Sequence, residues 1–124
     1  MLEKAQDEVE AFIEQAYSDI TGKDLKEFLD LLGQAAMPDF QHFEEELATD
    51  NLNAAADAAH RVRNFTQAVG AAELSASLLS MEAALRAGNR GSVGMQLEQI
   101  RADYMKLVSL IIHLAKKTTP GSDV

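Results

Sequence analysis

A chain of 124 residues, 47% of them hydrophobic, is long enough for one modest core and too apolar to be disordered. The absence of cysteine excludes disulfide frameworks and thiolate metal sites, and a net charge of −9 argues against nucleic acid as a partner. The opening MLEKAQDEVE has neither a basic n-region nor an apolar h-region, and the longest apolar run, LVSLII, is far short of the roughly 20 residues of a membrane span. The expectation is a free-standing, monomeric, cytoplasmic protein with no membrane association.

Apolar spacing is helical throughout, with no alternating strand pattern. The first predicted helix runs from about Leu2 to Ile20, with Val9, Phe12, Ile13 and Ala16 on one face, and Thr21-Gly22 breaks it. Asp24-x-x-Glu27 has the form of a capping box opening the second helix, whose apolar positions run from Leu25 to Leu47. Pro38 falls inside that run and predicts a kink or a short break. Asp50 or Asn51 caps the third helix, which stops at Gly70.

Leu74, Leu78, Met81 and Leu85 mark the fourth helix, which ends at Gly88. Gly91-Ser92 begins the fifth, where Val93, Leu97, Ile100, Tyr104, Leu107, Ile111 and Leu114 keep strict 4-3 spacing. Such a seam belongs to a bundle core. The predicted fold class is all-α: an antiparallel four-helix bundle with an additional N-terminal helix. It occupies residues 1–117 as a single domain, with 118–124 as a flexible C-terminal tail.

One stretch does not read as packing. In "AHRVRNFTQAVGA", residues 59–71, the seam of the third helix is Leu52, Ala55, Ala59, Val62, Thr66 and Val69. At about 100° per residue, His60 lies roughly 130° from the centre of that stripe and faces mostly solvent. Ala56, one turn earlier, is too small to cover the imidazole. Arg63 lies between the seam and the histidine, so its guanidinium can reach a charge bonded to the ring. On the fourth helix Glu82 falls nearly level with His60 in an antiparallel hairpin. A carboxylate there can accept from Nδ1–H, fix the tautomer and leave Nε2 free as a nucleophile.

Charge partition points the same way. Residues 1–49 hold 13 acids and 3 bases, whereas 50–90 hold four of each. The histidine therefore lies in the part of the chain that is not acidic, which suits an acidic partner.

AHRVRNFTQAVGAAEL, continued by SMEAALRAGN, resembles the core of the histidine-containing phosphotransfer (HPt) domain of phosphorelays. Ala59 and His60 start the pattern, Val62 takes its aliphatic place, and Arg63 stands where lysine is usual. Gly70, Ala71 and Leu74 follow at the family's spacing. Glu82, Arg86 and Gly88 match its later glutamate or glutamine, arginine and glycine, and Pro38 matches a frequent proline in the preceding helix. The likeness covers Leu25 to Gly88 by motif and the remainder by helix pattern.

The resemblance implies a phosphocarrier rather than an ordinary enzyme. Its partners would be response-regulator receiver domains and a sensor (hybrid) histidine kinase. His60 would be the phosphoacceptor, Arg63 would compensate charge and Glu82 would orient the imidazole. Ala56, Asn64 and Gln67 would border the docking surface. The helical domain would hold no metal and no cofactor, since the receiver holds the Mg²⁺. Two departures stand out: Asn64 replaces a glycine that leaves room for the receiver, and Phe65 replaces a small residue. They motivate the alternative of an HPt-like scaffold or inhibitor that binds a signalling protein without phosphotransfer.

Asp39-x-x-His42 and Asp57-x-x-His60 also form two acid-x-x-His pairs, as in di-iron bundles. Asp57 and His60 face away from the seam, however, so the expectation is that neither pair binds metal. His42 and His113 read as surface or boundary residues.

Overall fold

The computed structural model describes residues 2–118. Five helices follow one another: α1 (Leu2–Ala16), α2 (Gly22–Ala48), α3 (Leu52–Ala68), α4 (Ala72–Arg86) and α5 (Arg90–Lys117). No strand occurs among the described residues, and the fold is all-α. Of the expected C-terminal tail, everything from residue 119 on lies outside the described residues.

α3 packs against both α2 and α4, and α5 packs against the same two helices, so α2 to α5 close a ring around one core. Tyr104 of α5 sits at its middle. Its ring stacks on Phe40 of α2 at 4.7 Å and meets Phe65 of α3 edge-on at 5.5 Å. Its hydroxyl donates to the Ala36 carbonyl at 2.7 Å, so the buried phenol is satisfied. Leu29, Phe43, Val62, Leu78, Met81 and Ile111 complete the fully buried layer, each contributing about 1.5–3 kcal/mol by leaving water.

The helix ends explain the loop lengths. Asp50, Gly70 and Gly88 all have left-handed φ, at 61°, 75° and 76°. Behind each, the next residue's N–H reaches back to a carbonyl of the last turn: Asn51 to Glu46, Ala71 to Thr66 and Asn89 to Ala84. These closures turn the chain within a few residues. The two glycines were legible as stops. Of the two candidate caps of α3, Asp50 instead follows the end of α2, where Arg90 holds its carboxylate at 2.8 Å and also donates to the Leu47 carbonyl. Asn51 caps α3 through the Ala54 N–H, and Asn89 caps α5 through the Ser92 N–H.

Two other boundaries differ from expectation. The cap of α2 is Thr21, whose Oγ1 accepts from the Asp24 N–H, so Asp24 lies in the first turn and opens no capping box. α1 ends at Ala16, four residues early. α2 also runs unbroken through Pro38. Proline removes one backbone bond and costs about 3 kcal/mol inside a helix. Buried Leu29 and Gly33 before it, and Phe40, Phe43 and Leu47 beyond it, bind both halves to the same core. Their burial outweighs that cost.

α1 lies across the α3–α4 turn. Val9 and Ile13 are buried, and the Tyr17 hydroxyl donates to the Ala68 carbonyl at 2.6 Å. A Cβ built on Gly70 would clash with Cγ and Cβ of Phe12. Glycine is required there twice over, by its left-handed φ and by this approach.

Candidate functional site

Alanine decides how the site is built. Ala55, Ala56, Ala58 and Ala59 are all fully buried, which lets α3 approach α2 and α4 closely and carries His60 past the edge of the packed face. The His60 side chain is 50% exposed. One turn on, Arg63 is only 13% exposed and folds back over the histidine. Its Nη2 lies 2.8 Å from Nδ1 of His60, while its Nε donates to Oε2 of Glu82 at 3.3 Å.

Glu82 projects from α4 and its side chain is 11% exposed. A carboxylate so nearly buried is tolerated only when paired, and two guanidiniums hold it. Arg63 takes Oε2, and Nη2 of Arg86 lies 3.5 Å from Oε1. The same Nη2 donates to Oδ1 of Asp57 at 2.9 Å, tying α4 back to α3. The hydrogen bond to Asp57, with Glu82 adding to it, raises the Arg86 pKa above its usual range.

Oε1 of Glu82 stands 3.5 Å from Nδ1 of His60, within ion-pair range and beyond a good hydrogen bond. The structure thus brings His60, Arg63 and Glu82 together, with Nδ1 turned towards the other two. No hydrogen-bond partner occupies Nε2 among the described residues. Such a ring offers its Nε2 edge to another molecule, with a cation beside it and a carboxylate behind it, and an imidazole so placed is a nucleophile whenever Nε2 is free of its proton.

The expected docking positions divide. Asn64 and Gln67 are exposed. Asn64 lines a groove between α2 and α3 with Asp39 and Arg61 at its rim and Leu32, Ala36 and Phe65 at its floor. Ala56 is 0% exposed, which corrects its placement at the surface: α2 and α4 both pack on α3, so the buried face is wider than one seam. Phe65 is turned inward for the same reason, and its ring meets Tyr104 rather than the solvent around His60.

The roles of Asp57 and Arg86 are not evident from the sequence, where Asp57 stands as half of an acid-x-x-His pair. The i,i+4 spacing of Glu82 and Arg86 was the available signal. The bond from Arg86 to Asp57 had none, because it crosses between helices. Thr66 and Ser75 make a second polar cross-link, Oγ1 to Oγ at 2.7 Å, below the site.

Among the described residues, no three His, Cys, Asp or Glu side chains group as metal ligands. Asp57 is turned to Arg86, and Nε2 of His42 lies 3.9 Å from Oε1 of Glu46, one turn on in α2. His113 is exposed near the end of α5. No described helix is long and apolar enough to cross a membrane. No protein-family model, no curated protein and no solved structure matches this chain.

Proposed function

We propose that this chain is a histidine phosphotransfer protein of a two-component phosphorelay, built on an antiparallel four-helix bundle with α1 as cover, and acting in the cytoplasm. The observation that carries this reading is the half-exposed His60 whose Nδ1 edge faces the Arg63–Glu82 pair, leaving its Nε2 edge without a hydrogen-bond partner. In transfer, Nε2 attacks the phosphorus of an aspartyl phosphate on a receiver domain. The N–P bond forms as the P–O bond to the aspartate breaks, and the carboxylate leaves. Nδ1–H then carries the positive charge of the ring, with Oε1 of Glu82 beside it. Arg63 meets the equatorial phosphoryl oxygens. The reverse step delivers the group to a second receiver. Positioning and charge compensation are all the protein needs to supply.

Exposed Arg61 at the rim of the Asn64 groove offers a cation to the acidic site of a receiver. Phe65, buried, presents no obstacle to docking; Asn64, exposed beside His60, is the one surface departure that favours the scaffold reading.

The test is incubation with a phosphorylated receiver domain. Wild type should acquire an acid-labile, base-stable label, and His60→Gln should acquire none while keeping its helicity and melting temperature, as expected at an exposed position. Label on the His60→Gln variant, at His42 or His113, refutes the assignment. Receiver binding without any label replaces it with the scaffold.

A further inference from the structure

The partners of Nδ1 are of opposite kinds. Nη2 of Arg63, at 2.8 Å, can only donate, and Oε1 of Glu82, at 3.5 Å, can only accept while ionised. One ring nitrogen cannot satisfy both. At 2.8 Å the guanidinium demands a bare lone pair on Nδ1, which places the proton of neutral His60 on Nε2. A proton on Nδ1 would point one N–H at another across the same distance.

Arg63 is held in this pose by a second bond. Its Nε donates to Oε2 of Glu82, so one planar guanidinium bridges carboxylate and ring. Arg86, with Asp57 behind it, lies against the other carboxylate oxygen. That contact lowers the demand of Oε1 for a proton from Nδ1. The shorter contact, to Arg63, therefore decides the tautomer against the weaker and more distant demand of Glu82.

We propose that Arg63 is a positioning residue that holds resting His60 with its proton on Nε2, and that Nε2 becomes nucleophilic only once the guanidinium leaves Nδ1. The consequence for transfer rests on the phosphocarrier reading; the tautomer does not. An incoming phosphoryl group supplies the force, because its oxygens accept from a guanidinium better than a neutral ring nitrogen does. As Arg63 turns to them, Nε2 gives its proton to water and Nδ1 takes one up towards Oε1 of Glu82. One proton is lost and one gained, and the net charge of the ring is unchanged. The histidine is thereby kept unreactive until a phosphoryl donor is in place.

Nitrogen-15 spectra of the imidazoles test this without any receiver. Protonated and bare ring nitrogens resonate far apart, and His60 is assigned by its loss in His60→Gln. At pH about 8.5, above the ordinary histidine pKa of about 6.5, neutral rings dominate. Wild-type His60 should show Nε2–H over Nδ1–H by roughly tenfold or more, as expected of a hydrogen bond from a charged donor. Arg63→Met keeps the packed stem and removes every donor, so it should reverse the preference towards Nδ1–H.

Nδ1–H in the wild type overturns the proposal, and that measurement needs no variant. An unchanged Nε2–H in folded Arg63→Met overturns it as well. Failure of labelling by a phosphorylated receiver, with the wild-type tautomer as stated, would refute the phosphocarrier and leave the positioning role of Arg63 intact.

Discussion

Nη2 of Arg63 lies 2.8 Å from Nδ1 of His60, and the same guanidinium reaches Oε2 of Glu82 through Nε. Loss of Arg63 therefore has two opposed effects on transfer. It frees the ring, worth roughly tenfold, and it removes charge stabilisation of the transferring group, worth about 10²–10³-fold at comparable sites. The second is larger, so Arg63→Ala should slow transfer about 10–100-fold. Arg63→Lys keeps the cation and should stay within a few-fold of wild type. Single-turnover transfer from a receiver measures both, and equal rates for all three proteins would leave Arg63 no part in the step.

Glu82 is nearly buried between Arg63 and Arg86, so its loss should register in stability as well as in rate. Glu82→Gln retains an oxygen that accepts from Nδ1–H, and transfer should fall only a few-fold. Glu82→Ala leaves the nearly buried Arg63 without its carboxylate partner and should cost about 1–3 kcal/mol in urea unfolding, with a transfer loss of roughly tenfold or more. A larger rate loss in Gln than in Ala would contradict an orienting role.

Asn64 lies exposed on the turn after His60, at the lip of the α2–α3 groove. Asn64→Gly should lower stability by no more than about 0.5 kcal/mol, since asparagine is only slightly the better helix former. Transfer from a generic receiver should quicken while transfer from the cognate one slows, which identifies a polar contact to the partner. Identical rates from both would show that the side chain touches neither.

Gly70 combines a φ of 75° with the close approach of Phe12, whose Cγ and Cβ a Cβ here would strike. Gly70→Ala should destabilise by about 2–4 kcal/mol, part from the left-handed backbone and part from overpacking. In a Phe12→Ala background the ring contacts are gone and only the approach to Cβ of residue 12 is left beside the backbone part, so the cost should be smaller. A double-mutant cycle from urea curves reads the difference, and strict additivity would mean that α1 does not pack there.

Tyr104 gives the fold an alkaline limit. Burial first, with the charge of Asp39 adding, holds its phenol well above the ordinary value. The native state therefore keeps a proton that the unfolded chain releases near pH 10. The stabilisation is full below that pH and is lost as pH rises beyond it. Tyr104→Phe loses the bond to the Ala36 carbonyl, about 1 kcal/mol at neutral pH. The stability difference between wild type and this variant should stay constant to about pH 10 and shift against wild type above it. A difference that is flat to pH 11 would show the phenol to be solvated.

The helix periods, the two glycine stops and the level placement of His60 and Glu82 were legible in the sequence alone. Each depends on local geometry: 3.6 residues per turn, a left-handed φ that glycine adopts freely, and equal rise along two antiparallel helices. The histidine's exposure followed from its angle to the seam of α3. Which way Ala56 and Phe65 turn did not follow, because one stripe accounts for one neighbour and α3 has two, α2 and α4. The unbroken course of α2 through Pro38 was likewise a matter of burial on both sides outweighing a local cost. Only packing brought Arg86 to Asp57, and only packing set Arg63 against Nδ1. Long side chains on adjacent helices choose among rotamers by the charges they meet, and those charges come together only when the helices do.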